Sequence, residues 1–185
     1  MFYDITLKIT PQLIKDAQGN EKKSLVGHLG THFDVMNQEF PLEYLHLPAV
    51  FFCVKGNKNI QVCDIDISQI KKGMFVGFYT GFIEDVGYGN AVYFKEHPEL
   101  SKELIDILIE KEVAIIGIDC AGIRRGKEHT LTDQRCADHD VFVVENLCHL
   151  SQIVKNQSYQ HCYVNTYPVN YEQITGLPCR VVAEL

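Results

Sequence analysis

Residues 97–120 read HPELSKELIDILIEKEVAIIGIDC, and this stretch decides the class of fold. Leu104, Ile107 and Leu108 recur at helical spacing, and Ser101 stands where an N-cap belongs, so 101–113 predicts an amphipathic helix. VAIIGIDC, at 113–120, is an apolar run with β-branched pairs, the pattern of a strand buried on both faces. Outward from it, AVFFCVKGNKNIQVCDIDI (49–67) reads as two strands around the turn KGNKN, ISQIKKG (67–73) as a short amphipathic piece, and MFVGFYTGF (74–82) as a further strand. TLTDQRCADHD (130–140) reads as a short helix and VFVVENL (141–147) as a strand. TYPVNYEQITGLPCRVVAEL (166–185) reads as a closing strand pair or an extended tail. At the other end YDITLKIT (3–10) alternates, and EKKSLVGHLGTHFDV (21–35) reads as extended, because two glycines weaken any helix there. Many strands, few helices, no repeats and no low-complexity linker make residues 1–185 one α/β or α+β domain.

The bulk numbers narrow the function. A chain of 185 residues buries a proper core, and 46% hydrophobic with 22% charged residues is ordinary for a globular protein. A net charge of −7 with no basic run argues against nucleic acid and against an anionic membrane surface. Seven scattered cysteines, odd in number and without a C-x-x-C pair, read as reduced thiols of a cytoplasmic protein. MFYDITLKIT lacks the basic and long apolar regions of a signal peptide, and no apolar run approaches a membrane span.

The chemistry concentrates in GHLGTHFDVMNQ, residues 27–38. If 24–34 is extended, Val26, His28, Gly30, His32 and Asp34 project to one side, and Leu25, Gly27, Leu29, Thr31 and Phe33 to the other. Two imidazoles and a carboxylate then share a face, with a glycine between them that leaves room for an ion near the backbone. Three N/O ligands with space for water are what a catalytic Zn²⁺ or Mn²⁺ site requires. The competing reading is that these histidines are exposed or satisfied by hydrogen bonds.

HLGTHFDVMNQ resembles the H-x-G-T-H-x-D-x-P-x-H signature of the metal-dependent cyclase and arylformamidase-like family, which includes kynurenine formamidases and isatin hydrolases. The likeness continues in order along the chain. GMFVGFYTGF resembles the family's strand ending in Thr-Gly, HPELSKELIDILIEKEVAIIGIDCAGI its helix-then-strand segment, VFVVENL its "ivEnL" and TGLPCRVVA its closing segment. The resemblance implies a β-rich α/β domain of the swivelling β/β/α type, assembling as a homodimer or homotetramer. It also implies a hydrolase that opens a C–N amide-type bond with metal-bound hydroxide. His28, His32 and Asp34 fall on the family's first metal ligands, and Glu145 on its downstream carboxylate, which with Asp34 can bridge two ions.

Two positions depart from the family pattern. The D-x-P proline is Met36, and the last histidine, assigned the proton-transfer role in the formamidases, is Gln38. Glutamine cannot titrate, so it can orient a water or substrate carbonyl but not move a proton; Glu145 or the metal-bound water would then do so. The family's second-site histidine lands on Asp133, with His129 four residues earlier. If that stretch is helical, both lie on one face and either reaches the ion; otherwise Thr132 or Asp133 caps a helix.

The expectation is therefore a metal-dependent hydrolase of a small amide or cyclic amide, with one or two Zn or Mn ions held by His28, His32, Asp34, His129, Asp133 and Glu145. Gln38 and Glu145 are its candidate catalytic residues. The alternatives are a catalytically impaired protein that keeps metal and ligand on the same scaffold, or a cyclase or dehydratase using the same Lewis acid. Arg124 and Arg125 could hold a substrate carboxylate or belong to a solvated loop. Phe78, Tyr79, Phe82, Tyr88 and Tyr93 read better as core than as pocket wall, and Asp64 and Asp66 as a solvated strand edge.

Overall fold

The structure is a computed structural model and describes residues 1–24 and 26–185. Its strands are β1 (Phe2–Asp4), β2 (His32–Asp34), β3 (His46–Cys53), β4 (Asn59–Ile60), β5 (Phe75–Tyr79), β6 (Glu99–Leu100), β7 (Ile115–Ile118), β8 (Phe142–Glu145), β9 (Tyr159–Pro168) and β10 (Gly176–Glu184). The helices are α1 (Pro11–Ala17), α2 (Glu21–Ser24), α3 (Phe82–Val86), α4 (Ala91–Glu96), α5 (Lys102–Glu110), α6 (Glu128–Ala137) and α7 (Ser151–Val154).

Strand order β10-β2-β8-β7-β5-β3-β9, with β9 pairing back onto β10, closes a seven-stranded barrel, and β1 extends the β10 edge beyond β2. β3, β5, β7 and β8 run parallel; β2, β9 and β10 are antiparallel to their neighbours. β5, β7 and β8 are buried on both faces, as the apolar run at 113–120 predicts for β7, while β3 is exposed at His46 and Pro48. One face sends Phe33, Phe51, Phe75, Phe142, Val164 and Val181 into the barrel interior. The other face, with Val76, Phe78, Ile116 and Ile118, packs beneath α5.

Helix α5 begins where the sequence places it, with Ser101 Oγ accepting from the Leu104 N–H. Its buried stripe is Leu104, Ile105, Leu108 and Ile109, while Ile107 is only half-buried. At roughly 1.5–3 kcal/mol for each buried aliphatic side chain, this stripe outweighs the helix's own weak propensity to form at nine residues. The closing strand pair is present as β9 and β10, although β9 starts earlier than the sequence suggests.

Three expectations need correction. The run 21–35 is not extended throughout: 21–24 is helical, 26–31 is irregular, and only His32–Asp34 pairs as a strand. Leu25, expected on the opposite face, lies outside the described residues. The segment after KGNKN yields only the two-residue β4, which pairs with β6 and not with β3. Asp64 and Asp66 sit in 3₁₀ turns instead of a strand, where their carboxylates accept from the Gln61 and Ser68 N–H groups.

Candidate metal centre

Register builds the site. β2 lies between β10 and β8, with His32 directly opposite Glu145 and Asp34 opposite Gly176. Because side chains alternate along a strand, His32, Asp34 and Glu145 share one face. Thr31 and Phe33 turn the other way; Phe33 enters the core, and Thr31 Oγ1 donates to Asn146 O while accepting from the Leu7 N–H.

His28 reaches the cluster from a bent loop, not from a strand. Gly27 has φ of +82°, and a Cβ there would stand 1.9 Å from Gly176 O, so only glycine lets the loop press against β10. Val26 and Gly176 then bond through the Gly176 N–H and Val26 O at 2.9 Å. His28 Nδ1 comes to rest 2.9 Å from His32 Nε2 and 3.1 Å from Asp34 Oδ1, with its Nε2 2.9 Å from Thr175 Oγ1. Gly30 is not the open space for an ion that its spacing suggested. Its φ is +74°, a Cβ would meet Ile9 Cδ1 at 2.4 Å, and its carbonyl accepts from the His32 Nδ1–H at 2.8 Å. That bond fixes the His32 tautomer and leaves Nε2 facing the carboxylates, 3.6 Å from Asp34 Oδ1 and from Glu145 Oε2.

On the far side, α6 carries both His129 and Asp133 one turn apart. Asp133 is buried inside the helix and caps nothing. His129 Nε2 lies 3.2 Å from Asp133 Oδ2 and 3.1 Å from Glu145 Oε1. The structure thus brings together all six residues read from the sequence as ligands, in two groups that share Asp34: His28, His32 and Asp34, then Asp34, His129, Asp133 and Glu145. Within each group the donor atoms lie within 4.8 Å of one another.

Gln38 is placed elsewhere. It is exposed in the turn after β2, where its N–H donates to Val35 O, and it lines a larger neighbouring cavity of about 940 Å³. The cluster lies on a separate cavity of about 450 Å³; the two cavities meet at Met36 and Thr175. The turn directs residue 38 away from the strand face that carries Asp34. The arginines are also committed elsewhere: Arg124 to Glu128 and to Leu100 O at 2.8 Å, and Arg125 to Glu99 at 2.7 Å. His46 pairs with Asn165 at 2.9 Å and stacks on Tyr163, away from the cluster.

Spacing and periodicity do not reveal the roles of the residues that hold this arrangement. Asn146 donates to Gly30 O at 2.8 Å and accepts from the Tyr93 hydroxyl at 2.7 Å, while Tyr88 Oη accepts from the Gly30 N–H at 3.0 Å. Two of the aromatics expected to be plain core therefore brace the loop that orients His32. Asp119, in the GIDC segment, ties the ends of β5 and β7 together by accepting from the Thr80 and Gly81 N–H groups and from Thr80 Oγ1. Burial lifts the Asp119 carboxyl to about 6 despite those bonds.

The electrostatics are those of a site built for cations. Asp34, Asp133 and Glu145 are buried, and no lysine or arginine pairs with them among the described residues. Burial, then the charge of Asp34, pushes the Asp133 and Glu145 carboxyls well above the usual range. Burial also opposes ionisation of Asp34, but His32 and His28 beside it win and hold it low. For His32, burial disfavours the imidazolium, yet Asp34 and Glu145 outweigh it and its pKa is raised to about 9. Asp34 Oδ2 and Asp133 Oδ1 have no hydrogen-bond partner, and Glu145 Oε1 faces only the His129 imidazole, at 3.1 Å and outside hydrogen-bond geometry. Buried carboxylate oxygens without partners cost several kcal/mol unless a cation meets them. The donor set of three imidazoles and three carboxylates fits a divalent ion.

A closed, mostly buried α/β barrel with such a cluster at one strand end defines a class of protein equipped to hold divalent metal. Residues 3–124 match the Cyclase family model, described as "Putative cyclase", and the chain belongs to that family. The match spans His28, His32, Asp34 and Gln38 and stops before His129, Asp133 and Glu145. No sequence among the curated proteins matches. Solved structures share the fold. A predicted metal-dependent hydrolase from Bacillus stearothermophilus is 22% identical at a TM-score of 0.75, over 99% of this chain and 97% of that one. Isatin hydrolase A from Labrenzia aggregata is 17% identical at 0.73, over 99% and 93%. A potential metal-dependent hydrolase with cyclase activity is 21% identical at 0.72, over 99% and 96%.

Proposed function

We propose that this protein is a metal-dependent hydrolase of a small amide or cyclic amide, cleaving a non-peptide C–N bond. The observation that carries it is three buried carboxylates, Asp34, Asp133 and Glu145, that face three imidazoles in one cavity, with Asp34 Oδ2 and Asp133 Oδ1 left without a partner. The names of the structural neighbours, metal-dependent hydrolases and an isatin hydrolase, point the same way.

His28, His32 and Asp34 would hold one ion, and Asp34, His129, Asp133 and Glu145 a second. The first group is rich in nitrogen and suits Zn; the second is rich in carboxylate oxygen and suits Mn. A divalent ion bound there supplies Lewis acidity toward a carbonyl and lowers the pKa of a bound water toward ~7. The chain does the rest. Gly30 O and Thr175 Oγ1 orient the two imidazoles, so that His32 Nε2 and His28 Nδ1 face the cluster. Glu145 would take the proton from the attacking water and return it to the leaving nitrogen, a reading supported by Gln38 lying outside this cavity. Phe94, Ala121 and Asn146 wall the space for a small substrate. Exposed Leu42, Tyr167, Val169 and Tyr171 around the neighbouring cavity suit a homodimer or homotetramer, and seven unpaired cysteines suit the cytoplasm. No helix among the described residues is long and apolar enough to cross a membrane.

Elemental analysis of protein purified without chelator tests the reading, beside an Asp34→Ala variant. One or two equivalents of Zn or Mn are expected, lost in the variant, with hydrolysis of formanilide or isatin dependent on the ion. A protein that takes up neither Zn²⁺ nor Mn²⁺ would refute it.

A further inference from the structure

The cavity that holds the acid cluster also has a basic side. Lys22 and Lys23 of α2 line it, and they are the only lysine or arginine side chains among its lining residues. Neither forms an ion pair with a carboxylate among the described residues. Unpaired surface lysines usually extend into solvent, but Lys23 does not. It is half-buried, with Nζ 4.7 Å from the centroid of the Phe94 ring and 5.9 Å from that of Tyr88. Phe94 lines the cavity as well, and Tyr88 bonds to the loop that orients His32. Two aromatic faces therefore hold an ammonium group in place without neutralising it. The same segment is tied to the metal centre through its backbone, with Lys22 O accepting from the His28 N–H at 3.2 Å.

We propose that the substrate is a small amide carrying a carboxylate, and that Lys22 and Lys23 bind this carboxylate while the amide lies at the acid cluster. The proposal rests on the hydrolase reading above. Three carboxylates and one divalent ion leave the cluster with a formal charge of −1, and the two ammonium groups turn the whole cavity positive; a second ion makes it more so. A cavity with a cationic lip and an ion-loaded floor attracts an anion and repels a cation. It also fixes orientation, since a charge-assisted bond at one end of a small molecule leaves its other end directed at the cluster. The Phe94 ring, beside both, offers an apolar face to the body of such a substrate.

The test uses Mn²⁺-loaded protein and two probes of one shape, benzoate and benzamide, measured by titration calorimetry with ion content determined on the same samples. Benzoate should bind more tightly than benzamide, and added salt should narrow the gap. Lys22→Gln/Lys23→Gln should weaken benzoate roughly tenfold and leave benzamide within about twofold, while Lys22→Arg/Lys23→Arg retains benzoate binding. Equal affinities in the wild type overturn the proposal. So does an absence of measurable benzoate binding, or a glutamine variant that binds benzoate as well as the wild type, which would place the carboxylate on the ion alone. Each of those results leaves the hydrolase reading standing, whereas failure to take up any ion removes both.

Discussion

Raising the pH of the ion-free protein should loosen it, and adding the ion should reverse that trend. His32 is fully buried, and its pKa stands at about 9 against 6.5 in an unfolded chain. A histidine raised in this way contributes stability that is complete below pH 6.5 and is lost as pH climbs to about 9. The difference corresponds to about 3 kcal/mol, or roughly 6–12 °C in melting temperature for a chain of this size. Glu145 and Asp133, raised by burial and by Asp34, add in the same sense, because their protonated forms are also lost as pH rises. Other groups bound the window. Burial lowers His97 to about 4, so its contribution disappears only as pH falls below 6.5. Buried thiols such as Cys136, held up to about 12, matter only above 9. Between 6.5 and 9 the cluster dominates. A bound ion requires deprotonated imidazoles and carboxylates, so its stabilisation must grow over the same range. Calorimetric melts of chelator-treated and Mn²⁺-loaded protein at pH 6.5, 7.5 and 8.5 measure both slopes. An ion-free melting temperature that stays flat or rises across this window, or an ion-induced gain that shrinks with pH, would refute the reasoning.

Two further substitutions probe how the work is divided within the site. Asp133→Asn removes one carboxylate from the second group and none from the first, so ion content should fall by about one equivalent with His28, His32 and Asp34 still loaded; loss of all metal would show a single shared ion instead. Gln38→His restores the family's histidine, but position 38 is exposed and faces the neighbouring cavity. Amide hydrolysis should therefore stay unchanged, and a large gain in formamidase rate would instead identify a site impaired by loss of that histidine.

The helix and strand of 101–118 were legible because each satisfies a local rule: a serine cap with an apolar stripe, then a β-branched run. His32 and Asp34 were legible for the same reason, since alternation over three residues puts them on one face. The geometry of His28 was not. Its position depends on two left-handed glycines that bend the chain, and a periodic reading treats glycine only as a weak strand former. The same holds at Gly30, where the room expected from its spacing is filled by Ile9, a residue distant in sequence. The roles of Tyr88, Tyr93, Asn146 and Thr175 have no periodic signature, because each acts through hydrogen bonds to a segment more than 50 residues away.

The deeper reason is that the site is made by barrel closure. Glu145 is 113 positions beyond His32 (145 − 32), yet the two are direct partners in the β2–β8 register. A one-residue slip of that pairing would turn either His32 and Asp34 or Glu145 to the opposite face and dissolve the cluster. What fixes the register is Phe33, wholly buried in the barrel between His32 and Asp34, since a slip would drive a charged side chain into that core. The alternation that fills the barrel with Phe33 is therefore the same alternation that assembles the carboxylates, and core packing here sets the chemistry as firmly as the ligands do. β2 is only three residues long, so its own hydrogen bonds hold it weakly. It is kept in place by β10 on one side and β8 on the other, and by the loop that Tyr88 and Asn146 brace.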